Sequence, residues 1–417
     1  MRMVQRFWRG MRAASVLASA CLVGTAAPAA WAQQVQSAVS FDFGGDMGEW
    51  SAPVTASSLK SYGKMLSLDD SQKEALGALH EGYLSQHQAG MKEMQDKMKE
   101  VQEKFNETKD FTIWQKDFPK AMKTLGEKME KQEKEFLDDF KALLADGQAG
   151  DWNGIERHRR REKNLKFGFM AGEGVDLVRV SERAGLDIFK PGEFRDTVNS
   201  YESEMDKVLQ AKEKFAKEAA ESMGDGEDMG KMMENAQKMM KTVRDQGRQQ
   251  RSINKDYSGR IQRTLSEGEA AKFLAEYRKA AFPRVYREPA TLAAIKAAEG
   301  FEDLDTAQKQ TIGAIKEQYE RELAAANEKW ATAVEARDDS IGDDPMAMAQ
   351  LFMPNQDEKG PLADAKKARK ELDERTRERL AAALNETQRG KLPTPPAKHE
   401  TSGGDGPFEM TFEESHT

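Results

Sequence analysis

Leu68-Asp-Asp-Ser-Gln72-Lys-Glu-Ala-Leu76-Gly-Ala-Leu-His80-Glu-Gly-Tyr83 and Leu304-Asp-Thr-Ala-Gln308-Lys-Gln-Thr-Ile312-Gly-Ala-Ile-Lys316-Glu-Gln-Tyr319 agree at eight of sixteen positions, 236 residues apart. Similarity at a fixed offset points to a repeated supersecondary unit. Half of that offset lands on Leu186, Asp187 and Tyr201 in the same register, so a weaker middle copy lies there, with Lys190 and Pro191 replacing residues better suited to a helix. A second pattern closes each copy: Leu144-Ala-Asp146-Gly-Gln148, Leu265-Ser-Glu267-Gly-Glu269 and Leu384-Asn-Glu386-Thr-Gln388. Eight residues after each leading leucine stand Trp152, Phe273 and Leu392.

Between the two patterns the apolar residues keep helical spacing. Leu76, Leu79, Tyr83, His87, Met91, Met94, Met98, Val101 and Phe105 recur every three or four residues. That spacing predicts one continuous stripe on a helix of about 38 residues, roughly 57 Å long. Ile312, Ile315, Tyr319, Leu323, Ala326, Trp330 and Val334 repeat the design. A stripe of this kind needs a partner helix, expected at 112–144, 229–262 and 358–383. Gly224-Asp225-Gly226 and Gly342-Asp343-Asp344-Pro345 supply the breaks. The fold expected is all-α: three tandem elongated helical hairpins of about 118 residues, at 56–165, 174–283 and 290–393. Gly168–Gly174 and Phe282-Pro283 mark the joints. Asp69-x-x-Gln72, Asp305-x-x-Gln308, Asn385-x-x-Gln388 and Ser266-x-x-Glu269 also fit a capping box, in which the first side chain accepts from the N3 amide and Gln or Glu reaches back.

The ends read differently. Arg2, Arg6, Arg9 and Arg12 precede a weakly apolar stretch to Ala30, and Ala30-Trp31-Ala32 is a small-x-small cleavage site, so 1–32 reads as a signal peptide. Residues 33–55 and the Pro-, Gly- and Ser-rich tail 394–417 are expected to be flexible. Cys21 lies inside the leader; Leu17-Ala-Ser-Ala20 before it is a poor lipobox, so a lipoprotein is the lesser reading. The exported chain then has no cysteine, hence no disulfide or thiolate chemistry. With 33% charged and 38% apolar residues, the composition is that of long helices. The leader carries four Arg and no acid, which takes the net charge from −8 to −12 in the exported chain. Acidity together with export argues against nucleic acid as a partner.

The opening and closing patterns about 80 residues apart resemble the Leu-Thr-x-x-Gln family of small exported helical proteins, typified by Spy and CpxP. The resemblance rests on Leu68, Gln72, Leu144, Gln148, Leu186, Leu265, Glu269, Leu304, Gln308, Leu384 and Gln388. It implies a periplasmic protein of envelope stress: a thin all-helical cradle, often dimeric, that holds unfolded or misfolded envelope proteins without ATP. Some relatives dampen a stress sensor and some bind metal. This chain departs in carrying three units rather than one, and in its acidic balance.

The methionines and arginines of the middle unit are the client-contact candidates: Met229, Met232, Met233, Met239, Met240, Arg244, Arg248 and Arg251. Thioethers make adaptable surfaces, and cation rows steer encounter at a distance. Ordinary packing and intramolecular ion pairing explain the same residues more plainly. Further methionines, Met223, Met346, Met348 and Met353, sit near the breaks. His158-Arg-Arg-Arg161 and Arg278, Lys279, Arg284 and Arg287 form other basic patches. His80 and His87 are the weak metal candidates; two turns apart on one helix, they cannot share a zinc ion unaided. A zinc- or copper-responsive sensor and an envelope scaffold are the alternative functions. No cofactor is expected. Met170-Ala-Gly-Glu-Gly174 does not match a nucleotide fingerprint, and no catalytic signature is found, so the chain reads as non-enzymatic.

Overall fold

The computed structural model describes residues 54–110, 112–113, 118–165, 168–222, 229–340 and 359–393. The signal peptide expected at 1–32, nearly all of 33–55, the tail 394–417 and both glycine-containing breaks lie outside the described residues, as do Met223, Met346, Met348 and Met353. Every described element is a helix. None among the described residues is long and apolar enough to cross a membrane.

The chain forms two compact bodies, one ending at Lys163 and the other beginning at Asn164. In the first, α1 (Ala56–Met65) leads into α2 (Asp70–Thr108), α3 (Phe118–Ala142), α4 (Asp146–Ala149) and α5 (Trp152–Asn164). Helix α2 starts where the Asp69 carboxylate accepts from the Gln72 backbone amide at 2.8 Å, while Gln72 Oε1 accepts from the Asp69 backbone amide at 3.1 Å. It ends at Lys109, left-handed at φ 55°, whose N–H returns to the Phe105 carbonyl. At 39 residues it has the expected length. Leu76, Tyr83, His87, Met91 and Val101 of the stripe are buried. The core gathers Tyr62, Leu68, Leu76, Tyr83, Phe136, Phe140, Trp152 and Ile155.

The second body holds the other two hairpins. The first of these comprises α6 (Leu177–Arg183), α7 (Glu193–Ser222), α8 (Met229–Arg263) and α9 (Glu267–Ala281). Short α10 (Pro283–Tyr286) leads to α11 (Ala290–Glu299), α12 (Thr306–Ser340), α13 (Pro361–Ala383) and α14 (Glu386–Gly390). Long helices pair as α7 with α8 and α12 with α13. The same order therefore recurs: a short helix, two long antiparallel helices, then one or two closing helices.

Two details differ from the sequence expectation. Helix α7 begins at Glu193, well after Leu186. Asp187 accepts from the Phe189 amide at 3.0 Å in a turn, and Lys190-Pro191-Gly192 delays the helix, because proline disfavours helical backbone at the residue before it. In α12 the fully buried line runs from Leu323 to Asn327 and Ala331, leaving Ala326, Trp330 and Val334 only half-buried. Asn327 is drawn inward as the acceptor of Arg369 Nε at 3.1 Å.

The joint at 168–174 is pinned. Asn254 donates to the Gly172 and Glu173 carbonyls at 2.9 and 3.2 Å, and the Ala171 amide donates to Asp338 at 2.8 Å. Gly172 takes φ 82°, a left-handed conformation that favours glycine.

Candidate functional site

The glutamines of the opening and closing patterns meet. In the first hairpin Gln72 Nε2 donates to the Leu143 carbonyl at 2.9 Å and to Gln148 Oε1 at 2.8 Å. Gln148 Nε2 donates to the Leu66 carbonyl at 3.1 Å and to Gln72 Oε1 at 3.0 Å. Its Oε1 also accepts from the Ala145 amide at 3.0 Å. Each carboxamide thus uses both N–H groups and both lone pairs, and the backbone partners fix which end is oxygen. The third hairpin repeats the clasp. Gln308 Nε2 reaches the Ala383 carbonyl at 3.0 Å and Gln388 Oε1 at 2.9 Å. Gln388 Nε2 reaches the Asp303 carbonyl at 3.1 Å. Only a side chain with two donors, two acceptors and this length does all of it, so these positions are polar staples at the base of the hairpin.

The middle hairpin has no glutamine at either position. Lys190 occupies the register of Gln72 and Gln308, and Glu269 that of Gln148 and Gln388. Hydrogen bonds from the Ser266 hydroxyl and amide hold the Glu269 carboxyl below its ordinary range, and the Lys190 ammonium adds to this. The departure at Lys190 is therefore matched by one at Glu269: two opposite charges stand where the other hairpins have two amides. The leading leucines are core residues. Leu68, Leu186, Leu304 and Leu384 are buried, and Leu144 and Leu265 pack partly buried against their cores.

Met229, Met232, Met233 and Met240 fall on the first turns of α8, with side chains outside the described set; Met239 is half-buried. The arginines of the same helix face inward. Arg244 is 5% exposed and donates to Asp245 at 2.9 Å. Arg248 donates to the Asp339 carbonyl at 3.2 Å, Arg251 bonds the Asp339 carboxylate, and Lys255 lies 3.3 Å from Glu335. This row thus joins the middle hairpin to α12. Lys238, Lys241, Lys255, Arg260 and Arg263 are exposed cations of α8, with Arg260 stacked 4.7 Å over the Tyr257 ring.

The basic run on α5 is likewise turned inward. His158, Arg159 and Arg161 are buried. Arg159 grips Glu133 with two bonds of 2.9 and 3.0 Å, Lys163 approaches Glu133 at 2.6 Å, and Arg159 also reaches Glu162 at 3.0 Å. Ser58 and His158 bond Glu162 as well. Burial raises the Glu162 pKa, but His158, Ser58 and Arg159 outweigh it and bring the carboxyl down to about 2. Sequence reading missed Glu133 and Glu162 because nothing local marks a carboxylate whose partner lies on another helix. Glu173 was missed in the same way: it is 1% exposed and accepts from the Phe169 and Met170 amides, and burial pushes its carboxyl up despite Lys212 at 3.8 Å.

The two histidines do not converge. His80 Nε2 pairs with the Val54 carbonyl at 2.9 Å, whereas neither ring nitrogen of His87 has a hydrogen-bond partner among the described residues. No group of three or more His, Cys, Asp or Glu placed to hold a metal ion occurs among the described residues. A shallow surface depression runs along α2, lined by Ala89, Lys92, Glu93, Asp96, Lys97 and Glu100. Comparison with family models, curated proteins and solved structures gives no match.

Proposed function

We propose that the chain is an exported, non-enzymatic, ATP-independent holding protein built from three tandem Spy-like hairpins. Its leader, 1–32, directs it to the periplasm, where it binds unfolded or misfolded envelope proteins under stress, as a monomer or a homodimer. The observation that carries this reading is the pair of glutamine clasps. The opening and closing patterns that suggest the family meet as one interlocked unit at corresponding places in the first and third hairpins. The methionine-rich start of α8 lies at the end of that helix far from Glu269. Thioethers adapt to varied apolar partners, while Lys241, Arg260 and Arg263 steer encounter. Arg248 and Arg251, bonded to Asp339, serve the fold first.

The test is aggregation suppression. A chemically denatured client is diluted into buffer containing the purified protein and a chelator, without ATP, and light scattering is followed. Suppression at near-stoichiometric ratio is expected. Unchanged scattering for several unrelated clients rejects the reading. The inward pairing of the arginine row favours one rival, an envelope scaffold, which predicts no client binding and a long rigid profile in scattering.

A further inference from the structure

His87 is 1% exposed in the interface between α2 and α3, and its two ring nitrogens lack any hydrogen-bond partner among the described residues. The corresponding positions of the other hairpins hold Met205 and Leu323, both buried and apolar. The interface thus calls for an apolar side chain there, and the first hairpin alone fills the place with an imidazole. We propose that His87 is an acid-sensitive latch, whose protonation separates α2 from α3 and uncovers the methionine- and aromatic-bearing stripe between them.

The charges around it allow this. On its own helix the neighbours are the Tyr83 ring, 5.9 Å away between centroids, and one turn further His80. From α3 the charged neighbour is Glu133. Glu133 favours a protonated ring, but its oxygens are already bonded by Arg159 and Lys163 from α5. Burial is the larger influence and lowers the His87 pKa. The other histidines of this body differ. His80 keeps the Val54 carbonyl, and His158 faces Glu162 at 3.4 Å, so each has an acceptor for a charged ring. A group whose folded pKa is depressed in this direction favours the closed hairpin above the open-state pKa. That preference is lost as pH falls below about 6.5. If the closed state holds no proton, opening becomes up to about 25-fold more favourable between pH 7 and pH 5. Separation would bare Tyr83, Met91 and Val101 of α2 and Leu125 and Phe136 of α3. The use of that surface for clients rests on the holding reading above; the opening itself does not.

Hydrogen exchange on the full chain at pH 7 and pH 5, corrected for intrinsic exchange rates, tests the latch in the wild type and in His87→Met and His87→Leu. Expected is faster exchange in α2 and α3 of the wild type at pH 5, approaching the limit of about 25-fold, with no such acceleration in whichever variant has wild-type helicity at pH 7. Equal acceleration in wild type and variants overturns the proposal, as does a wild type whose exchange does not change. Aggregation suppression at the two pH values separates the two ideas. Opening without suppression at either pH leaves the latch standing and removes the holding function.

Discussion

Gln72 has two donors and two acceptor lone pairs, and the first hairpin uses all four. Gln72→Glu removes both donors and sets a carboxylate against Gln148 Oε1. A loss of about 1–3 kcal/mol is expected, read as a lower denaturant midpoint by circular dichroism. The middle hairpin suggests the compensating change: Gln72→Lys with Gln148→Glu should recover part of what Gln72→Lys alone loses. A double variant no more stable than that single one would show that charges do not substitute for the clasp. Glu162 gives a pH prediction. Its folded pKa, near 2, lies below the unfolded value. Its stabilisation is therefore complete above about pH 4.5 and is lost as pH falls through 2. The contribution is of order 3 kcal/mol. Glu162→Gln should be less stable than wild type at neutral pH, and the gap should close toward pH 2 in acid melts.

At the scale of the element, length and phase come from spacing, and local detail comes from what lies opposite. Gly82 is helical and exposed, and a Cβ there meets nothing within 4 Å. Gly82→Ala should stabilise α2 by about 0.5–1 kcal/mol. Gly247 in α8 is the opposite case. A Cβ there comes within 2.8 Å of Met170 and 2.9 Å of Glu173, whose carboxylate is held by two backbone amides. Gly247→Ala should lower the melting temperature, although its helix propensity is better. The delayed start of α7 shows the same contest: the leucine and aspartate keep their places, but Lys190-Pro191-Gly192 sets where the helix begins.

For the whole molecule, the joining of the middle and third hairpins into one body depends on buried polar contacts. Asp338 is fully buried and accepts from the Ala171 amide at 2.8 Å and from Arg337. Asp338→Ala strands both donors and should cost about 2–4 kcal/mol, with faster hydrogen exchange at Ala171. Asp338→Asn keeps an acceptor for that amide and should cost less. Equal losses would mean that the amide bond contributes nothing beyond the charge.

The repeat of Leu68–Tyr83 at Leu304–Tyr319, the three- and four-residue spacing and the capping boxes were legible in the chain alone. They concern contacts within a few turns of backbone, so residue order is enough to determine them. The all-helical class and the long helices, near their full extents, followed from these. The tertiary structure decided the rest: that Gln72 meets Gln148 across 76 residues, and that Arg248 and Arg251 of α8 face Asp339. Only there could Glu133 be found inside the fold and His87 be left in the core with no partner. A side chain's chemistry is written in the sequence. Whether it meets water, a partner or nothing depends on which helix packs over it, and that is settled only when distant segments come together.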